Sequence, residues 1–139
     1  MEEKLTRRQV REGAFIILFQ TMFREDIEDI AEAGIDSMGL WKNEETDEIV
    51  DGVLAHKDEL DAIVSKFSKT RSVARIPKTN MTLLRIALFE MIYCEKVPAR
   101  AAINEAIELS KKYCYKEDSG FINGILNSYL NESGENNAD

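Results

Sequence analysis

"AINEAIELSKKYCYKEDSGFINGIL", Ala102 to Leu126, decides how this chain is to be read. Ala102, Ile103, Ala106, Ile107 and Tyr113 recur at steps that gather apolar side chains on one face of an α-helix. After a short polar link, Ile122, Ile125, Leu126, Tyr129 and Leu130 repeat the pattern. Asp118 or Ser119 can cap this second helix, because a short side-chain oxygen can accept from the first free backbone N–H groups. The stretch is therefore two amphipathic helices joined by a link.

Outward from this pair, the same period continues. Pro98 suits the first turn of the upstream helix, where its missing N–H would be unpaired anyway. Before it, Met81, Leu84, Ala87, Leu88, Met91 and Ile92 mark another helix. "KTRSVARIPKTN", 69–80, is a polar, basic connection that divides the chain. Upstream of it are Leu60, Ile63, Val64 and Phe67, then Ile49, Val50, Val53 and Leu54, then Ile27, Ile30, Ala31 and Ile35. The first helix carries Val10, Ala14, Ile17, Leu18 and Met22, and Thr6-Arg7-Arg8-Gln9 has the form of a capping box that starts it near Arg7. Strand alternation is nearly absent. The expectation is an all-α domain of about seven helices over 1–131, with helical halves at about 6–68 and 79–131. The polar tail 132–139 is expected to be disordered.

The chain has 139 residues and a net charge of −8. That total argues against a nucleic-acid partner, but its distribution does not. Between Arg24 and Asp61 fourteen acids face three bases, which leaves the rest of the chain at +3. From Lys66 to Arg85 there are six bases and no acid. A basic surface can therefore exist on an acidic protein. Cys94 and Cys114 form no framework and read as residues of a reducing compartment. The apolar run "AFIILF" is too short for a signal-peptide core or a membrane span, so a cytoplasmic protein with no membrane partner is expected.

Enzyme chemistry finds no foothold. His56 is the one histidine and has no ligand pattern around it, so no metal is expected. There is no glycine loop for a nucleotide cofactor and no recognisable nucleophile setting. No catalytic residue and no cofactor are assigned.

Binding chemistry is better represented. Arg7, Arg8 and Arg11 fall within an arc of roughly 100° on one helix face. They stand at a helix start, where the macrodipole disfavours cations, and an external phosphate would repay that cost. A solvated basic helix start explains them equally well. Phe121 lies about 110° from the centre of its helix's apolar stripe, among Gly120, Asn123, Gly124 and Asn127. A ring so placed can stack on an unpaired base, or simply fold over the edge of the core. Lys111 and Lys112 close the preceding helix with positive charge.

Taken together, "TRRQVREGAFIILFQ", "RIPKTNMTLLRIALFEMIY", "VPARAAINEAIELSKKY" and "DSGFINGIL" resemble the NusB family of bacterial transcription antitermination factors, in order and in spacing. The resemblance covers Thr6 to Leu130. It implies two small helical bundles packed together and no catalytic residues. It implies binding of boxA-type single-stranded RNA from ribosomal RNA leaders, together with NusE, a small-ribosomal-subunit protein, and entry into the RNA polymerase antitermination complex. It places RNA contacts at Arg7, Arg8, Arg11, Lys111, Asp118 and Phe121, and a NusE-facing surface at Asn80, Arg85 and Glu90. Some members dimerise and hide the RNA surface, so a homodimer is among the states it allows.

Two departures stand out. The family commonly has two residues between Asp-Ser and Phe, the second usually Lys; here Gly120 stands alone. Many relatives carry an acid then Arg where this chain has Asn80-Met81. The alternatives are an adaptor of the same fold with little RNA affinity, and an RNA-binding domain of the kind that precedes some RNA methyltransferases. The chain lacks a cofactor glycine loop for the latter activity.

Overall fold

The computed structural model describes residues 6–22 and 43–137, with side chains as far as Ser133. Within the described residues there are six α-helices, one 3-10 turn and no strand, as the apolar periodicity predicts. The pattern at Ile27, Ile30, Ala31 and Ile35 lies outside them.

The chain forms two compact units, divided between Ala55 and His56. In the first, α1 spans Arg7–Thr21. Its start is the predicted capping box. Thr6 Oγ1 accepts from the Gln9 N–H at 3.1 Å, and Gln9 Oε1 accepts from the Thr6 N–H at 2.8 Å. Helix α2 spans Glu44–Ala55 and packs on α1. Asn43 Oδ1 accepts from the Glu45 N–H at 2.8 Å, and Glu44, Glu45 and Asp47 fill the first turn, where the dipole favours acids. Val10, Ala14, Ile17, Ile49, Val50 and Val53 are buried.

The second unit contains α3 (Lys57–Phe67), the 3-10 turn Val73–Arg75, α4 (Lys78–Tyr93), α5 (Ala99–Tyr113) and α6 (Asp118–Asn137). Helix α4 is its axis. Every residue from Asn80 to Glu90 is buried, and α3, α5 and α6 all pack against it. A helix surrounded this way is not amphipathic, which is why its sequence is apolar round most of the wheel. Pro77 and Pro98 occupy the N-cap positions of α4 and α5, one step ahead of the first-turn place expected for Pro98.

Two boundaries differ from the sequence reading. The division falls at 55/56 and not in the basic connection, because α3 joins the second unit. It is held there by Asp61 paired with Arg85 of α4, by Lys66 paired with Glu132 of α6, and by Phe67 edge-on to Tyr129 at 6.4 Å. Helix α6 runs to Asn137, into the segment expected to be disordered. The Glu132–Lys66 pair ties this end of α6 to α3 where apolar burial has ended.

Candidate nucleic-acid interface

The link from α5 to α6 is short and tightly bonded. The Asp118 N–H donates to the Tyr115 carbonyl at 2.9 Å, and Asp118 Oδ2 accepts from the Tyr115 N–H at 3.3 Å. Asp118 is consequently buried, at 4% exposure. The buried Ser110 hydroxyl donates to the Ile107 carbonyl at 2.7 Å and lies 2.6 Å from the Ser119 hydroxyl. Since Ser110 has a single proton, Ser119 is the donor between them. This locks the first turn of α6 to the last turn of α5. The shortened Asp-Ser-Gly-Phe sequence is thereby accommodated: the helix begins at Asp118 itself.

That start fixes Phe121, whose ring is half-buried. Around it α6 is open. A Cβ built on Gly120 or on Gly124 would meet nothing within 4 Å. Asn127 Nδ2 is turned to its own helix, donating to the Asn123 carbonyl and Oδ1 at 2.9 and 2.8 Å. The ring's companion is Arg71, from the basic connection. Its guanidinium carbon sits 4.7 Å from the Phe121 ring centroid, and its Nη1 lies 3.9 Å from Asp118 Oδ1. The Ser68 hydroxyl donates to the Arg71 carbonyl at 2.6 Å, which fixes the turn that delivers this side chain. Arg71 was not singled out in the sequence; the acid-free run from Lys66 to Arg85 was its only signal.

The other predicted residues are placed as follows. Lys111 is exposed and pairs with Glu108 at 2.9 Å along α5. In the first unit Arg7 pairs with Glu45 at 3.2 Å, and Arg8 is exposed. Arg11 is buried, at 6% exposure. The helical wheel explains the contrast, since Arg7 and Arg11 both lie over the line of Ala14 and Leu18, and only Arg7 escapes at the helix tip. So the structure brings Asp118 and Phe121 together with Arg71, whereas Arg7, Arg8 and Arg11 do not share one solvent face.

On α4, Asn80, Arg85 and Glu90 are all buried. Arg85 makes a two-pronged pair with Asp61, Nε to Oδ1 at 2.7 Å and Nη2 to Oδ2 at 3.0 Å. Asn80 Oδ1 accepts from the Thr79 hydroxyl at 3.2 Å, and its Nδ2 is buried with no partner among the described residues. His56 stacks on Tyr93 with ring centroids 4.2 Å apart.

A family model described as the NusB family matches residues 8–131. The chain belongs to the NusB family. It is 30% identical over 134 residues to the transcription antitermination protein NusB of Natranaerobius thermophilus, covering 92% of this chain and 96% of that one. It is 36% identical over 123 residues to the protein of the same name in Acetivibrio thermocellus, covering 86% and 85%. Among solved structures, T. maritima NusB superposes with a TM-score of 0.82 at 28% identity, over 94% of each chain. A chain of the crystal structure of antitermination factors NusB and NusE in complex with dsRNA has a TM-score of 0.77 at 21% identity, over 88% and 93%, a likeness of fold. Among the described residues no helix is long and apolar enough to cross a membrane.

Proposed function

We propose that this NusB-family chain is a non-catalytic, cytoplasmic transcription antitermination factor. It binds boxA-type single-stranded leader RNA together with NusE and joins the RNA polymerase antitermination complex. The observation that carries the RNA role is the half-buried Phe121 ring on the open face of α6, backed by a guanidinium. A flat ring at a helix start is a stacking platform for an unpaired base, and the N–H groups of that helix start favour phosphate. Lys111 adds charge on α5, and Arg7, Arg8 and Arg11 are the candidate contacts of the first unit.

NusE is proposed to approach α4 where Arg85 and its partner Asp61 keep 10% and 24% exposure; Asn80 and Glu90, buried at 0% and 1%, would support that surface from beneath. The structure of antitermination factors NusB and NusE with dsRNA, whose NusB-like chain shares this fold, supports this choice of partner. Because Asp61 holds the Arg85 guanidinium, the two would meet a partner as a unit.

The test is a fluorescence-anisotropy titration of a boxA-type RNA oligonucleotide, with and without NusE. The expected result is weak binding alone and tighter binding with NusE. A second reading, an adaptor of this fold without RNA affinity, is favoured by the net charge of −8 and by Glu45 and Glu108, which already answer Arg7 and Lys111. NusE binding without any RNA binding would select it. Sedimentation on the same samples reads whether a homodimer forms.

A further inference from the structure

The basic connection contributes a side chain to the Phe121 platform that the sequence reading left unassigned. We infer that Arg71 is an RNA-contacting residue, held over the Phe121 ring by Asp118 so that ring and guanidinium receive the RNA as one unit. This rests on the proposed RNA role and adds a residue and a division of labour to it.

Three observations converge on it. First, the guanidinium lies on the ring, 4.7 Å from its centroid, close enough for the attraction between a cation and an aromatic face. Second, Asp118 is buried, and the Arg71 guanidinium stands beside it, Nη1 to Oδ1 at 3.9 Å. A buried carboxylate is costly to leave without a positive neighbour, so Arg71 does not swing away when a ligand arrives. The ring face under Arg71 therefore stays occupied, and a base stacks on what the pair leaves open, beside Gly120 and Gly124. Third, the Arg71 side chain is still 37% exposed. A guanidinium has five N–H donors in a fixed plane, and one ion pair at 3.9 Å leaves donors on its outer edge for a phosphate. The link that carries it also holds exposed Lys69, Arg75 and Lys78, with no acid between Lys66 and Arg85, so nothing in that segment opposes an incoming phosphate. Asp118 is on this account a positioning residue: it sets where Arg71 stands and need not touch RNA.

The test uses the full chain with NusE and a boxA-type single-stranded RNA oligonucleotide, with affinity measured across a salt series and melting followed on the same preparations. Arg71→Ala removes both plane and charge. Its affinity should fall about tenfold or more, and the salt slope should shrink by about 0.7, the share of one single-strand phosphate contact. Arg71→Lys keeps the charge and the pairing with Asp118 but loses the plane. It should keep the wild-type slope while losing about fivefold in affinity, about 1 kcal/mol, because an ammonium cannot offer a phosphate the flat, two-pronged donor edge of a guanidinium. Should Arg71→Ala fail to fold because Asp118 is left unpaired, Arg71→Lys still decides the matter. Wild-type affinity and slope in the variants, with the native protein binding RNA, would overturn the role of Arg71 and leave the RNA role standing. Tighter binding by Arg71→Ala would also overturn it, since the guanidinium would then be a cover on the ring. A native protein that binds no RNA would remove both.

Discussion

Phe121 shows how much a single position can carry when its neighbours are small. Replacing it with Leu keeps apolar bulk at the edge of α6 and removes the flat face. The swap should cost less than ~1.5 kcal/mol of stability, because the ring is only half-buried and its surroundings can adjust. RNA affinity in the NusE-containing complex should drop by about 1–3 kcal/mol, the worth of one stacked base. Lost stability with intact affinity would reduce Phe121 to a core cover. A second residue-scale prediction concerns Cys114, at the C-cap of α5. Burial pushes its thiol above the usual range, the Thr79 hydroxyl pulls it down, and Asp118 pushes it up again. A thiol raised by folding favours the folded state below the unfolded thiol's range and gives that advantage back as pH climbs through its own. Cys114 should thus react with a disulfide reagent more slowly than a free thiol near pH 8, in a Cys94→Ser background. Thr79→Val should slow it further. A rate equal to that of a free thiol would refute the account. The residue scale is also where the sequence was least legible. The acid-free run from Lys66 to Arg85 holds six bases of equal standing in one dimension, and only the Ser68 turn and buried Asp118 bring Arg71 to Phe121.

Between elements, the telling contact is Arg85 with Asp61, which pins α4 to α3. The family resemblance implied a partner-facing Arg85, and periodicity could not test that, because a helix buried all along its middle has no polar face to locate. Helix starts were a different matter. The capping box at Thr6 and the proline ahead of α5 involve residues one to three apart, so they could be read directly, to within one position for Pro98. The Arg85–Asp61 pair spans 24 positions and could not. Its consequence is measurable. Arg85→Glu sets two carboxylates against each other at a site where Arg85 is 10% and Asp61 24% exposed. The loss of stability should lie toward the low end of the ~3–5 kcal/mol typical of broken buried pairs, since Asp61 keeps some water. The exchange Asp61→Arg with Arg85→Glu should restore much of the melting temperature. NusE affinity is then read in that exchanged protein. A weakened complex at restored stability supports a partner role for the pair, and unchanged affinity confines it to the fold. An Arg85→Glu protein that melts like the native one would contradict the pinning contact.

At the scale of the whole molecule the issue is how a chain of charge −8 is to hold RNA at all. Repulsion at long range is screened over about 8 Å at physiological ionic strength, so local charge decides. The acids concentrate between Arg24 and Asp61, and the remainder of the chain is net positive. In the first unit, however, Glu45 stands 3.2 Å from Arg7, so a phosphate arriving there must displace or share that partner. Arg11 is buried and is better left alone, because its loss would confuse stability with binding. The informative variant is therefore Arg7→Ala with Arg8→Ala, measured with NusE present. If both arginines reach phosphates, the salt slope should shrink by about 0.7 for each, about 1.4 together. Glu45→Gln should act in the opposite sense, freeing Arg7 and raising affinity at low salt, with the gain fading as salt screens the exposed pair. The melting temperature should hardly move, since an ion pair half open to water is worth little to the fold. A salt slope unchanged in the double variant would remove the first unit from the RNA path, and the binding energy would then have to come from the second unit, where Arg71, Phe121 and Lys111 remain.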